Sequence, residues 1–188
     1  GDAKRGQASA GYGGDKAVFA FGDGDSGATN IKNLVNNQGV VGANVTGVGT
    51  ARGDLAASRY GVGLGIFGYG NTGSKVSITN LVTNVGVIGT DVSGVGTARQ
   101  SLAACTFGGD KAIFGFGKDG SNETSITNLV SNVGVVAANT TGVGAAREKL
   151  GACSFGGDKG IFAFGVVNGG GGRVSTSNLV SNVGVVAS

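Results

Sequence analysis

The stretch ARQSLAACTFGGDKAIFGFG (98–117) is written four times, with changes, in this chain of 188 residues. Similar runs occupy 51–70 and 146–165, and a more divergent run, KRGQASAGYGGDKAVFAFG, occupies 4–22. In each run an arginine precedes the phrase Ile/Val-Phe-Gly/Ala-Phe/Tyr-Gly. These arginines lie 47, 47 and 48 residues apart and are Arg5, Arg52, Arg99 and Arg147. Such a period predicts an array of like units, each too small to bury its own apolar face.

The third repeat predicts four antiparallel β-strands. These predicted strands are 102–107, 112–117, 125–130 and 133–137. The first two are joined by Gly108-Gly109-Asp110-Lys111, which suits a two-residue hairpin connection with positive φ. Apolar and polar residues alternate in the third strand, and no stretch keeps a helical period, so the chain is assigned to the all-β class.

The order of these features resembles the kelch-repeat family of β-propellers. The family pattern places an arginine before an apolar strand, then a turn, a strand ending in an aromatic residue and glycine, a looser loop and a last pair of strands. Arg99, 102–107 and 111–117 follow that order here. The chain departs from the family with a single Gly117 in place of a glycine pair, and with Leu129 and Val133 or Val135 where tyrosine and tryptophan are usual.

The resemblance implies a single repeat domain, 1–188, folded as a β-propeller of four four-stranded blades. The blades would span 1–46, 47–93, 94–141 and 142–188. Because each blade is complete within its own segment, two alternatives stay open. One is half of a larger ring that closes by dimerisation, and the other is an open array that stacks end to end.

The composition restricts the functions to be considered. With 40% hydrophobic, 6% aromatic and 13% charged residues, the chain is too apolar to be disordered, and its surface should be rich in glycine, serine, threonine and asparagine. The 14 Lys and Arg are scattered among 11 Asp and Glu, which argues against nucleic-acid binding. No apolar run approaches the length of a membrane span. Since the sequence starts at Gly1 and lacks methionine, we expect a processed or partial chain.

The loop after the second strand is where the repeats diverge most. It reads DGDSG at 23–27, NTGSK at 71–75 and KDGSNE at 118–123, and it contains four glycines within 166–173. Variation on loops above a repeated scaffold is typical of a binding face, although solvated loops can also drift without a role. The candidate ligand-binding residues are Asp23, Asp25, Asn71, Lys75, Lys118, Asp119, Asn122 and Arg173.

Two sets of polar residues recur in every repeat and are interpreted as structural. The arginines Arg5, Arg52, Arg99 and Arg147 would bond loop carbonyls or pair with acids, with a ring of guanidinium groups for an acidic glycan or phosphate as the alternative. The asparagines at the last turn are Asn37, Asn84, Asn132 and Asn182. A second asparagine set, interpreted as bonding the backbone, is Asn33, Asn80, Asn128 and Asn178.

Catalysis, metal binding and cofactor binding are all disfavoured by the residue types. Without histidine, the usual serine or cysteine nucleophile has no base and zinc loses its favoured nitrogen ligand. The loop at 23–27 has a calcium-like pattern, but Leu34 stands where the bidentate glutamate is needed. Cys105 and Cys153 occupy equivalent places and are interpreted as buried thiols, with a disulfide as the alternative.

The leading functional expectation is a non-enzymatic, extracellular or virion-surface module that binds or displays. The resemblance brings an association with kelch-like repeats in viral or phage fibres and adhesins, whose natural ligand would be a surface glycan or a receptor. The first alternative is a structural subunit that self-assembles through exposed strand edges into a filament or shell. The second is a protein–protein adaptor. In each case a homo-oligomer or larger assembly is expected.

Overall fold

The computed structural model describes residues 3–167 and 171–187, and within these ranges the regular structure is entirely β-strand. In the first two units the strands are β1 (Ala8–Tyr12), β2 (Lys16–Ala20), β3 (Asp23–Gly24), β4 (Gly27–Ala28), β5 (Lys32–Val35), β6 (Ala56–Tyr60), β7 (Leu64–Gly68) and β8 (Thr79–Val82). In the last two they are β9 (Ala103–Phe107), β10 (Lys111–Gly115), β11 (Lys118–Asp119), β12 (Asn122–Glu123), β13 (Thr127–Val130), β14 (Gly151–Phe155), β15 (Lys159–Ala163), β16 (Val166–Val167), β17 (Gly172–Arg173) and β18 (Ser177–Val180). The all-β class is confirmed.

Each unit contains one three-stranded antiparallel sheet. The strand orders are β1-β2-β5, β6-β7-β8, β9-β10-β13 and β14-β15-β18. In the third unit Phe107 pairs with Lys111, so three residues connect the hairpin rather than the predicted two. Gly108 and Gly109 in that connection have φ of 59° and 80°, which glycine adopts at little cost.

The fourth strand predicted at 133–137 is only a bridged segment. Isolated bridges join Val130 to Val136 and Thr127 to Thr140, and no continuous ladder forms there in the described chain. The side chain of Asn128 donates its amide to the carbonyl of Ala137, at 3.0 Å, and takes the place of a ladder bond. The equivalent bonds run from Asn33 to Gly42, Asn80 to Gly89 and Asn178 to Ala187.

The hydrophobic core lies between units rather than inside them. Consecutive sheets stack face to face, with β1 against β6, β6 against β9 and β9 against β14. Three buried clusters fill the three junctions, and each draws residues from both neighbours: Phe21 with Phe67, Tyr69 with Phe114, and Phe116 with Phe162. Stability therefore depends on the interfaces between neighbours, as in other repeat proteins.

The stack is open at the fourth unit. Phe164, Leu179 and Phe155 there are 62%, 51% and 41% exposed, and Cys153 is exposed as well. The residues equivalent to Phe164 in the other units are buried by the following unit. A closed ring of four blades would cover this surface, and it is not seen among the described residues. We call the surface formed by Cys153, Phe155, Phe164 and Leu179 the C-face.

Candidate functional site

The loops predicted to bind a ligand are short hairpins that project from the units. In three units the hairpin consists of two paired strands of two residues each: β3 with β4, β11 with β12, and β16 with β17. In the second unit a single bridge joins Asn71 to Lys75. Asp23, Asn71, Lys118 and Val166 take the same place in successive units, because each bridges the segment before its own first strand. Each unit therefore contributes one hairpin at an equivalent place, and the side chains differ from one hairpin to the next. We call these four hairpins together the hairpin row.

The predicted ligand residues are spread along this row rather than gathered in one enclosed pocket. Asp25, Asn122 and Arg173 are exposed, while Asp23, Asn71, Lys75, Lys118 and Asp119 are half-buried. Beside the first hairpin, a shallow concavity of about 370 Å³ is lined by Lys4, Asp25, Ser26 and Thr29, among others. Part of the fourth predicted loop, residues 168–170, lies outside the described residues.

Three of the four recurrent arginines are the centres of the junctions. Arg52, Arg99 and Arg147 are fully buried, and their guanidinium carbons lie 4.2, 4.2 and 4.0 Å from the ring centroids of Phe21, Tyr69 and Phe116 in the preceding unit. Such a cation–π contact gains strength when it is desolvated. A guanidinium ring open to an acidic glycan is therefore contradicted, because these groups are covered by protein.

Each buried arginine also bonds backbone carbonyls of its own unit. The Nε atoms donate to the carbonyls of Tyr69, Phe116 and Phe164, at 2.8, 2.9 and 2.8 Å. Arg52 additionally donates Nη2 to Asn80 Oδ1 at 2.7 Å. Burial lowers the pKa of Arg52 to about 10, and the nearby Asp91 carboxylate opposes that shift. The group is still charged at neutral pH, which the cation–π contact requires.

The assignment of Arg5 to this set is corrected by the structure. Arg5 is exposed and bridges Asp23, as Gly53 bridges Asn71 and Gln100 bridges Lys118. The residue at the arginine position of the first unit is Lys4, whose Nζ donates to Ile31 O and to Asn33 Oδ1 at 3.3 and 3.2 Å. The spacing agrees with this assignment, because Lys4 lies eight residues before Tyr12, as Arg52 lies eight before Tyr60, whereas Arg5 lies only seven before Tyr12.

One aromatic residue in each unit has a strained backbone conformation. Phe21, Tyr69, Phe116 and Phe164 all have φ of 63–64°, which is rare for a bulky side chain. The first three form edge-to-face pairs with Phe67, Phe114 and Phe162 of the next unit, at centroid distances of 5.4, 5.2 and 5.2 Å. The next unit supplies both an aromatic edge and a cation to each of these three rings. This conformation was missed from sequence; its only signal is an aromatic residue followed by glycine.

The turn residues and their acids have local roles. Asp15, Asp110 and Asp158 each pair with the following lysine, at 2.9, 2.8 and 2.8 Å. The hydrogen bond from Lys111 is the main reason that the pKa of Asp110 lies below its usual value, and Asn132 adds a second bond. Asn37, Asn84, Asn132 and Asn182 are exposed at the last turns.

The two cysteines differ in their surroundings and neither forms a disulfide. Cys105 is buried, and burial raises the pKa of its thiol to about 12. Cys153 is exposed, so its prediction as a buried thiol is wrong. The cause is positional: Cys105 packs against the fourth unit, whereas no further unit packs on Cys153 among the described residues.

The described ranges hold no group of three or more Asp, Glu, Cys or His side chains placed to bind a metal ion. No helix capable of crossing a membrane is found in the described part of the chain. A comparison with models of known protein families found no match, and a comparison with curated protein sequences found none either.

Proposed function

We propose that this chain is a non-enzymatic, extracellular repeat scaffold that displays the hairpin row and binds a surface glycan, as a module of a fibre or an adhesin. The observation that carries the proposal is the combination of a repeated, buried junction with an exposed row whose side chains differ from unit to unit. A rigid support with variable projections is the usual design of a binding surface.

The roots of the hairpins are fixed by backbone hydrogen bonds. Arg5 and Asp23 exchange two such bonds, of 3.0 and 2.8 Å, and Gln100 and Lys118 do the same at equal lengths. The far end is tied by Thr29 N to Gly22 O and by Thr124 N to Gly117 O, both 2.8 Å. Because the backbone is held in the same way in each unit, the differences between hairpins are differences of side-chain chemistry.

The chemistry of the row suits a ligand rich in hydroxyl groups. Asp23, Asn71 and Lys118 offer in turn a carboxylate, an amide and an ammonium group at equivalent places. Carboxylates accept hydrogen bonds, ammonium groups donate them and amides do both. The hairpin row can therefore both donate hydrogen bonds to sugar hydroxyls and accept hydrogen bonds from them. An extended chain ligand fits this linear arrangement better than a small compact one.

The test of this function is glycan binding by matched lysine variants. The labelled chain is applied to an array of neutral and acidic oligosaccharides, and the affinity of any bound sugar is measured. We expect Lys118→Ala to weaken binding about tenfold or more, as loss of one central polar contact does. Lys111→Ala is the control, because it removes the same charge at the opposite end of β10. Binding to no sugar, or equal losses in the two variants, would sink the proposal.

A second candidate, a self-assembling structural subunit, is favoured by the exposed C-face. An apolar surface that the other three units bury is left uncovered in this chain. We also propose a kelch-like β-propeller, in which the units form a ring, since face-to-face stacking of small sheets suits a ring. Two chains would supply eight units to it.

A further inference from the structure

We infer that copies of this chain dock head to tail, with the first unit of one copy covering the C-face of the next as though it were a fifth repeat. The inference gives the second candidate function its interface and does not depend on glycan binding. The two ends of the stack resemble the two halves of the three junctions inside it.

The C-face is one half of a junction. Phe164 has the same strained φ as Phe21, Tyr69 and Phe116, and those three rings are fully buried by the next unit. Phe155 and Cys153 correspond to Phe107 and Cys105, which are 2% and 4% exposed. The exposed side chains of the fourth unit are thus the ones that an additional unit would bury.

The first unit carries the other half, which we call the N-face and define by Lys4, Gly6, Asp15 and Phe19. Phe19 holds the place of Phe67, Phe114 and Phe162, since each pairs with the β-strand asparagine of its unit. Those three are fully buried against the preceding ring, whereas Phe19 is only partly buried. Lys4 stands at the arginine position. Docking would place the Phe19 edge and the Lys4 ammonium on the Phe164 ring of another copy.

The backbone groups of the two faces are complementary. At the internal junctions Asp54 N, Ser101 N and Lys149 N donate to the carbonyls of Gly6, Asp54 and Ser101, each at 2.8 Å. This series continues from Gly6 N of one copy to Lys149 O of another. A second series, Gly13 N to Gly63 O, Gly61 N to Asp110 O and Gly108 N to Asp158 O, continues from Gly156 N to Asp15 O.

A third series runs, like the second and opposite to the first, from an N–H of one unit to a carbonyl of the next. Gly22 N, Gly70 N and Gly117 N donate to the carbonyls of Arg52, Arg99 and Arg147, at 2.8, 3.0 and 2.9 Å. Its continuation joins Gly165 N to Lys4 O of the next copy. Each face therefore offers donors where the other offers acceptors.

The fit is not blocked where the fourth unit differs from its neighbours. A Cβ at Gly115 would lie 2.7 Å from the ring of Phe162, so a side chain there would need the ring to move. The C-face has Ala163 at this position. Ala20 holds the same position at the first junction, where Phe67 packs fully buried, so the stack already accommodates an alanine there.

Two lysine substitutions test the docking, because a head-to-tail interface uses two different surfaces. Mass is measured by light scattering after size exclusion, over a range of concentrations. The unaltered chain should run as a dimer or larger assembly of the 18.1 kDa unit. Phe164→Lys disables the C-face, Phe19→Lys disables the N-face, and each should weaken association roughly thirtyfold or more.

Mixing the two variants separates this proposal from other modes of association. Each variant keeps one intact face, so the mixture should form a one-to-one dimer of twice the chain mass while each alone stays monomeric. Val135→Lys changes an exposed valine in the outermost segment of the third unit, away from both faces, and should leave assembly unaltered. Circular dichroism and the unfolding midpoint of each variant show whether it folds, so that a misfolded variant is recognised and replaced by Phe164→Ser or Phe19→Ser.

Thiol chemistry gives an independent readout. Cys153 should react quickly with a maleimide in the Phe164→Lys variant and become protected about tenfold or more in every copy whose C-face is covered, while the buried Cys105 stays slow throughout. A chain that stays monomeric at high concentration, or that assembles when Phe164 is replaced but not when Val135 is, would overturn the inference. Failure of glycan binding would leave it standing.

Discussion

Each internal junction depends on a single cation held between an aromatic ring and backbone carbonyls. We expect Arg99→Ala to lower the free energy of unfolding by about 2–4 kcal/mol, because it removes a desolvated cation–π contact, the bond to Phe116 O and the packing of a fully buried side chain. Urea unfolding measures the loss. Arg5→Ala is the matched control and should change stability by less than about 0.5 kcal/mol, since Arg5 is exposed. Similar losses of stability in both variants would contradict the placement of Arg99 inside a junction and of Arg5 outside one.

The Cys105 thiol predicts a dependence of stability on pH. Its pKa is raised by burial from 9.0 to about 12, so its contribution is complete below pH 9 and is lost as pH rises from 9 to 12. Between pH 8 and 10 the loss from this group should be about 1 kcal/mol. Unfolding of Cys105→Ala should lack this part of the slope, and alanine is tolerated at the same position as Ala10.

Cys153→Ala is the control and should keep the slope of the unaltered chain. Measurements stop at pH 10, because the pKa of Arg52 is lowered by burial to about 10 and its deprotonation acts in the opposite direction above that value. An equal slope in Cys105→Ala and the unaltered chain would show that the thiol is not what titrates.

At this scale the sequence identifies the three junction cations and misplaces the equivalent residue of the first unit. Arg52, Arg99 and Arg147 follow from the spacing of the repeats alone. Arg5 matches them in residue type, yet a lysine fills the equivalent position, and the shift to Lys4 depends on where the backbone bridges Asp23. Residue type is visible in a sequence, whereas the local register is set by contacts between segments far apart along the chain.

At the scale of elements, the apolar strands are predictable and the polar ones are not. The predicted hairpin of the third unit, 102–107 and 112–117, differs from β9 and β10 by one or two residues at its ends. Alternating apolar residues determine these strands, because one face is buried against a neighbour. The β11 and β12 strands lie in a segment that the sequence predicts to be a loop. They form because Lys118 and Asp119 pair with Glu123 and Asn122, and no buried apolar side chains mark them in the sequence.

The outermost segment shows the opposite error. Its valines favour a strand by type, and Val133 and Val135 are 70% and 64% exposed in a segment that makes only isolated bridges. Among the described residues no strand pairs with the outer edge of this segment, and the Asn128 side-chain amide bonds the carbonyl of Ala137. Propensity for β-structure describes how a side chain fits a packed, pleated surface, and here that surface is absent on the outer side.

At the scale of the whole molecule, stability should fall toward the uncovered end. The third unit is covered on both faces and the fourth on only one, although the hairpins β9–β10 and β14–β15 have similar sequences. In a stack of nearest-neighbour interfaces, a unit with one interface opens more easily than a unit with two. The Phe164→Lys variant, as a monomer, isolates this effect from assembly.

Amide hydrogen exchange measures the gradient. We expect the amides of Lys159–Ala163 to exchange about tenfold faster or more than those of Lys111–Gly115 in the monomeric variant, because the free energy of opening the fourth unit lacks one junction. In the unaltered chain at high concentration, head-to-tail docking supplies that junction, and the two hairpins should become similarly protected in every copy whose C-face is covered. Equal protection in the monomer would mean that the array unfolds as one cooperative block, and a persistent difference in the concentrated chain would mean that the C-face stays uncovered.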